Sequence, residues 1–224
     1  MLAGPFASAY NGDKIVVVYQ PNSNNSKTGN TPSIWIEPYG MSPSGAVKSG
    51  CDVGVCGSCP RRSKKSGGLG TCYTHGTEVY LGATRLWERG FVNVDVLKMR
   101  DAIKSCTGKP LRMCRHGDSG ALTEYVFSKL IPNNHRILGY THAWKTCQWL
   151  RHTHMASVES EDELVEATNL GWRTYRSIRN KAEMHKSEIM CPHYEHKVKC
   201  EKCMLCTGSN SGTRHTKNIA VIEH

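Results

Sequence analysis

The sequence predicts a mixed α/β fold built on a parallel sheet. Three observations lead there. β-Branched, strand-like runs alternate with helix-like apolar stripes through the second half of the chain. Cap and turn residues fall at the joints between them. The hydrophobic share, 38% of 224 residues, is enough for one sizeable core but is lean. Such a sheet is either open or closed into a barrel, and its chemistry collects at the C-terminal ends of its strands.

The elements follow in chain order. Lys14 to Tyr19, KIVVVY, reads as a buried strand, and the polar stretch Gln20 to Thr31 as a loop. Ser33 to Glu37 reads as a second short strand. Gly50 to Tyr73 is rich in Gly, Cys and Lys/Arg and has little apolar periodicity. It cannot build a core alone, although metal or nucleic acid can order it. Thr77 to Cys106 reads as mainly helical, with Val96, Met99, Arg100 and Ile103 on one face. Leu111 to Arg115 is a strand, and Leu122, Tyr125, Val126 and Leu130 form a helical stripe ending at Pro132. Arg136 to Tyr140 and Met155 to Val158 are strands. Ser160 to Glu163 has capping-box spacing, with acids in the first turn to match the helix dipole. Gly171 suits a left-handed helix stop, and Trp172 to Ile178 is one more strand. The side chains expected at strand ends are Asp118, His142 and Glu159.

The formal net charge is +10, which favours a polyanionic partner through phosphate attraction and counterion release. No apolar run approaches the ~20 residues of a membrane-spanning helix. The N-terminal residues lack the charged start and apolar stretch of a secretory signal. A soluble, cytoplasmic protein with no membrane partner is the expectation, organised as one α/β domain over 1–224.

Eleven cysteines fall largely into two clusters. In a reducing compartment, clustered cysteines point to metal before disulfides. Cys191, Cys200, Cys203 and Cys206 close with a C-x2-C-x2-C run, and four thiolates make a tetrahedral zinc site within a segment 191–224. An iron–sulfur cluster takes the same donors. His193, His196 and His224 are spare ligands. The second set, Cys51, Cys56, Cys59 and Cys72, lies in the loop 50–73. Arg61, Arg62, Lys64 and Lys65 stand beside it as a grip for phosphates. Cys106, Cys114 and Cys147 read as core residues.

In RHGDSGAL, Asp118 follows a strand between Gly117 and Gly120, which permit an unusual backbone and close ligand approach. A catalytic carboxylate and a plain cap or turn residue are the two readings of this pattern.

The segments RHGDSGAL, GYTHAW, MASVES, the stretch ending Thr71-Cys72-Tyr73 and the closing cysteine run resemble a family of small cysteine-rich phage proteins. More distantly, Asp118-Ser119-Gly120-Ala121-Leu122 is similar to the D-S-G-G-F motif of guanine transglycosylases. These are TIM-barrel enzymes with a zinc site near the C-terminus that insert 7-deazaguanines into tRNA or phage DNA. The zinc motif differs from the C-x-C-x2-C plus His of the tRNA enzymes. The chain is also short for a full barrel of about 250 residues. The resemblance therefore implies a reduced TIM-like (β/α) barrel with the Cys-rich loop inserted and the zinc segment at its end. It implies a DNA guanine transglycosylase acting in the host cytoplasm, with Asp118 matching the motif aspartate, Glu159 and Asp95 both weak stand-ins for the family's nucleophile, and Asp118 and Glu159 taken as the catalytic pair. Arg115, His116, Ser119, Gly120 and His142 would bind substrate. The residues alone leave two rivals standing. One is an iron–sulfur, radical-type enzyme on a partial barrel, and the other is a non-catalytic zinc protein that binds nucleic acid.

Overall fold

The computed structural model describes residues 1–23, 25–72, 84–106, 108–133, 135–209 and 217–223. Tyr73, His224 and the first part of the expected helical stretch, 77–83, lie outside the described residues.

Among the described residues the architecture is mixed α/β with two five-stranded sheets. The first holds β1 (Leu2–Ala7), β2 (Lys14–Gln20), β3 (Ser33–Pro38), β4 (Leu111–Arg112) and β5 (Ile137–Leu138), in that spatial order. The pairs β1–β2 and β2–β3 are antiparallel, and β3–β4 and β4–β5 are parallel. The second holds β6 (Tyr140–Thr141), β7 (Met155–Val158), β8 (Thr174–Ile178), β9 (Glu188–Met190) and β10 (Asn218–Ile222), all in parallel pairs. Its order is β6-β7-β8-β10-β9, so the last strand inserts between two earlier ones.

The expected strand 136–140 is divided between the sheets. Residues 137–138 pair with β4 and residues 140–141 with β7, with Gly139 at the break. A Cβ on Gly139 would lie 2.5 Å from the His154 ring, so only glycine lets that histidine pack there. One run of parallel strands therefore passes from sheet to sheet through a single bent segment. This differs from the reduced barrel, because no closed barrel forms among the described strands. The ladders flanking β4, β5 and β6 are only one or two residue pairs long, too short to carry a continuous curved wall, and β1 and β2 run antiparallel at one edge.

Strand β2 is buried from Ile15 to Tyr19, and every residue of β3 is buried. One face meets the main core, and the other carries Val18 and Trp35 under Leu86, Trp87 and Phe91. The main core runs through both sheets, from Ala3 and Ile15 to Val158 and Trp172.

The helices are short. α1 (Pro43–Ser49) is capped by Ser42 and stops at Gly50. α2 (Val53–Cys56) lies against the ends of β2 and β3. Residues 84–88 and α3 (Val96–Ser105) are the helical parts of the stretch expected to be mainly helix, with Met99 and Ile103 inward. In α4 (Glu124–Leu130), Phe127 and Leu130 are buried while Tyr125, assigned to the stripe, is exposed. α5 (Glu161–Asn169) carries the Ser160 cap, whose hydroxyl accepts from the Glu163 N–H. The Glu163 carboxylate reaches back to the Glu159 N–H, one residue earlier than in a capping box. α6 (Pro192–His196) and α7 (Cys200–Cys203) follow.

Candidate functional site

The parallel strands deliver a line of polar side chains at their C-terminal ends. β3 ends with Glu37, the chain after β4 carries His116 and Asp118, β6 is followed by His142, β7 by Glu159 and β10 by Glu223. The Cys-rich loop lies across these ends.

Asp118 is held from every side. Its own N–H donates to Val55 O at 2.7 Å. Its Oδ1 accepts from the Gly120 N–H at 2.8 Å and the Thr141 hydroxyl at 2.7 Å, and its Oδ2 from the His142 N–H at 2.8 Å. The Tyr10 hydroxyl lies near the same carboxylate; burial and that nearby charge hold the phenol firmly protonated. The aspartate thus caps the short 3-10 turn Ser119–Ala121 and ties the β4 loop to the end of β6.

The flanking glycines have packing reasons. Gly117 has φ +77°, and a Cβ there would lie 2.6 Å from Ile36 O. At Gly120 a Cβ would lie 2.5 Å from the Tyr10 hydroxyl and 2.6 Å from Ala143 Cβ. The space expected for an approaching ligand is filled by Tyr10 and Ala143.

Next in line is an ionic chain. His142 Nε2 lies 3.0 Å from Glu159 Oε1 and 3.9 Å from Cys59 Sγ. Arg61 grips Glu159 with Nε and Nη2, the shortest contact being 2.7 Å, and its Nη2 also meets Glu223 at 3.0 Å. Burial alone would raise the Glu159 pKa, but the bonds from His142 and Arg61 outweigh it and lower it to about 2. Burial alone would lower that of His142, but Cys59 and Glu159 outweigh it and raise it to about 10. Glu159 keeps 28% exposure, so this end of the line is open to solvent where Asp118, at 5%, is not.

The other expected substrate residues stand apart. His116 is buried on Glu37, its Nδ1 2.9 Å from Oε2, while its Nε2 has no partner. Burial lowers the affinity of His116 for its proton, but Glu37 and then Asp52 outweigh it and the pKa rises. Arg115 turns away, to Gln20 Oε1 at 3.2 Å and over the Trp35 ring. Ser119 is fully buried between His154 Nε2, at 2.8 Å, and Cys114 Sγ, at 3.0 Å. Asp95 is the N-cap of α3.

Of the expected phosphate grip, Arg61 is committed to the two glutamates and Arg62 to the carbonyls of Cys59 and Ser66. Lys64 and Lys65 are exposed. Sequence reasoning missed Tyr10, Thr141, Glu37, Glu223 and the role of Cys59. Only Glu37, at the end of an expected strand, carried a signal.

At the other end of the second sheet, Cys191, Cys200, Cys203 and Cys206 line one small cavity floored by Leu138 and Ile219. Its wall is pinned from afar: the Cys200 N–H donates to Lys27 O, and the Glu201 side chain accepts from the Asn30 N–H. Burial raises the Cys200, Cys203 and Cys206 thiols, the last to about 12, while Arg112 works the other way at Cys200 and Cys206. Four soft donors around one apolar cavity, with a cation beside them, fit a zinc thiolate site. Among the described residues no three His, Cys, Asp or Glu side chains stand in a ready metal-binding arrangement, so the thiols would turn inward to hold an ion. His193 bonds Val198 O and His196 is exposed. No helix among the described residues is long and apolar enough to cross a membrane.

Set against protein-family models, curated proteins and solved structures, the chain finds no match.

Proposed function

We propose that this protein is a nucleic-acid base-modifying enzyme, a DNA guanine transglycosylase that exchanges guanine for a 7-deazaguanine, with its centre at the strand-end line and a structural zinc on Cys191, Cys200, Cys203 and Cys206. The observation that carries the reading is the hydrogen-bonded line Asp118–His142–Glu159, contributed by the chain that follows β4, β6 and β7. The +10 charge and the similarity around Asp118 support a nucleic-acid substrate.

The geometry divides the two carboxylates. Asp118 has its lone pairs engaged by backbone and hydroxyl donors, so it positions the β4 loop and His142. Glu159 is ionised and partly exposed, and it is the group that attacks C1′ of the target nucleotide. As the carboxylate bonds C1′ the N9–C1′ bond breaks, and the departing guanine anion takes a proton from water. The incoming base gives its N9 proton to the hydroxide so formed, attacks C1′ and frees the carboxylate, as in other retaining glycosyl transfers. Arg61 must first release Glu159, and a DNA phosphate is a competing partner for its guanidinium. The target base leaves the stack to reach the site. Zinc, when bound, supplies folding energy to the C-terminal segment.

The test is nucleoside mass spectrometry of DNA from cells expressing the protein and supplied with 7-deazaguanine. A deazaguanosine peak is expected, and Glu159→Gln should reduce it by at least ~10²-fold. Unmodified DNA from cells containing soluble protein and the base would refute the reading.

A further inference from the structure

The Cys-rich loop poses a physical problem. From Cys51 to Cys72 its only buried residues are Asp52, Gly54, Val55, Gly57 and Ser63, yet it follows one defined path over the strand ends. Part of the order comes from hydrogen bonds: Asp52 accepts from the Ser63 N–H, and the Ser63 hydroxyl bonds Val47 O.

The thiols supply the rest of the argument. Cys56-Gly57-Ser58-Cys59 is a tight turn closed by the Cys59 N–H on Cys56 O at 3.1 Å, with Gly57 at φ +55°. A Cβ at Gly57 would strike the Tyr10 ring at 2.6 Å, so the turn is built onto the tyrosine that also packs against Gly120 beside Asp118. The loop then doubles back. Leu69, Gly70 and Cys72 donate to the carbonyls of Pro60, Arg62 and Arg61, which brings Cys72 alongside the turn. The half-buried Cys56 thiol is pushed well above its usual range, first by burial and then by the neighbouring Cys59 and Cys72. From the sheet side, His142 stands 3.9 Å from Cys59 Sγ, its backbone fixed by Asp118. Cys51, the fourth cysteine of the sequence cluster, is exposed at the far end of the loop.

We infer that Cys56, Cys59, Cys72 and His142 form a second metal site, of the Cys3His zinc type, which clamps the loop to the end of β6. His142 replaces Cys51 in the set that the spacing suggested. Two cysteines from one turn, a third from the returning strand of the loop and a histidine from the sheet match how tetrahedral sites join distant segments. The His142 Nε2 that would ligate is the atom now shared with Glu159, so metal binding exchanges that hydrogen bond for coordination and leaves Glu159 to Arg61. Three thiolates and one imidazole favour zinc over calcium or magnesium, which prefer oxygen. The site shares His142 with the strand-end line, yet its test is separate from base exchange, because metal binding is read on protein without substrate.

The full chain, stripped of metal under reducing conditions, is titrated with Zn²⁺ and separately with Co²⁺. Two equivalents of zinc per chain are expected, both cobalt ions giving tetrahedral thiolate spectra. Cys59→Ser should leave one equivalent, Cys203→Ser should leave the other, and Cys51→Ser should keep both. His142→Ala should weaken one zinc by at least about tenfold in chelator competition, the lower bound for losing even a supporting residue. Where a variant misfolds, the two-step cobalt titration of the unaltered chain still decides. One equivalent in that titration, zinc lost with Cys51→Ser as with Cys59→Ser, unchanged affinity in folded His142→Ala, or a brown iron-bearing protein would each overturn the assignment. A catalytically inactive protein with two zincs would leave it intact and count against the transglycosylase alone.

Discussion

Asp118→Asn separates a charge needed for chemistry from a charge needed for folding. At a simple cap, asparagine is among the best replacements for aspartate. Here the two oxygens face different backbone donors, Gly120 N–H on Oδ1 and His142 N–H on Oδ2. Whichever way the amide is turned, its NH2 confronts one of those N–H groups. One charge-assisted bond is lost, at about 1.5–3 kcal/mol, and a buried donor goes unpaired, at about 1–3 kcal/mol. The expected loss is roughly 2.5–6 kcal/mol. For a chain of this size each kcal/mol moves the midpoint by about 2–4 °C, so Tm should fall by roughly 5–24 °C. Thermal and urea unfolding followed by circular dichroism measure this. Thr141→Val removes the hydroxyl that donates to Oδ1 and accepts from the Ala143 N–H. It should couple to Asp118→Asn by more than 0.5 kcal/mol in a double-mutant cycle, the size expected for residues in contact (roughly 0.5–3 kcal/mol). A folded Asp118→Asn within about 0.5 kcal/mol of the parent, the range of ordinary surface changes, would refute the bonding argument. If that same protein had lost base exchange, the catalytic reading of Asp118 would return.

Three further outcomes follow from the same geometry. His154 is fully buried, and burial, then Arg112, lower its pKa to about 3; the unfolded state therefore binds its proton first, and stability falls as pH drops from 6.5 toward 3, by about 2 kcal/mol at pH 5. Urea midpoints at pH 7 and pH 5 should diverge less in His154→Gln than in the parent, and equal divergence would show that His154 titrates normally. Gly120→Ala should destabilise by about 1–3 kcal/mol through overpacking against Tyr10 and Ala143, and a neutral thermal shift would mean that Tyr10 moves aside freely. If both exposed lysines touch phosphates, Lys64→Ala with Lys65→Ala should flatten the log–log salt slope of DNA binding by about 1.8, whereas an unchanged slope removes the loop from the interface.

Much of the local structure is legible in the residues themselves. The β-branched run of β2, the four residues of β7 and the Ser160-capped helix with Gly171 after it follow from side-chain sterics, period and cap chemistry, all of which act over a few residues. The same local logic places His142 and Glu159 just past strand ends and groups the C-terminal cysteines, whereas β4 stops at Arg112, short of the expected Arg115, and leaves Asp118 in the loop beyond it. What those residues meet is a different matter. Strands β1, β9 and β10 carry weak patterns and exist because neighbours pair with them. β10 lies between β8 and β9 although it comes last in the chain, an order set by which parallel ladder buries Ile219 and Ala220. Gly139 reads as a residue within one strand, and only the packing of His154 turns it into the joint between two sheets. Arg61 reads as part of a basic run, yet two carboxylates from β7 and β10 claim it, and His142 joins Cys59 across 83 residues. Such contacts depend on chain closure over long separations, where the entropy of bringing segments together is offset only by the whole core at once. No short window of sequence holds that information.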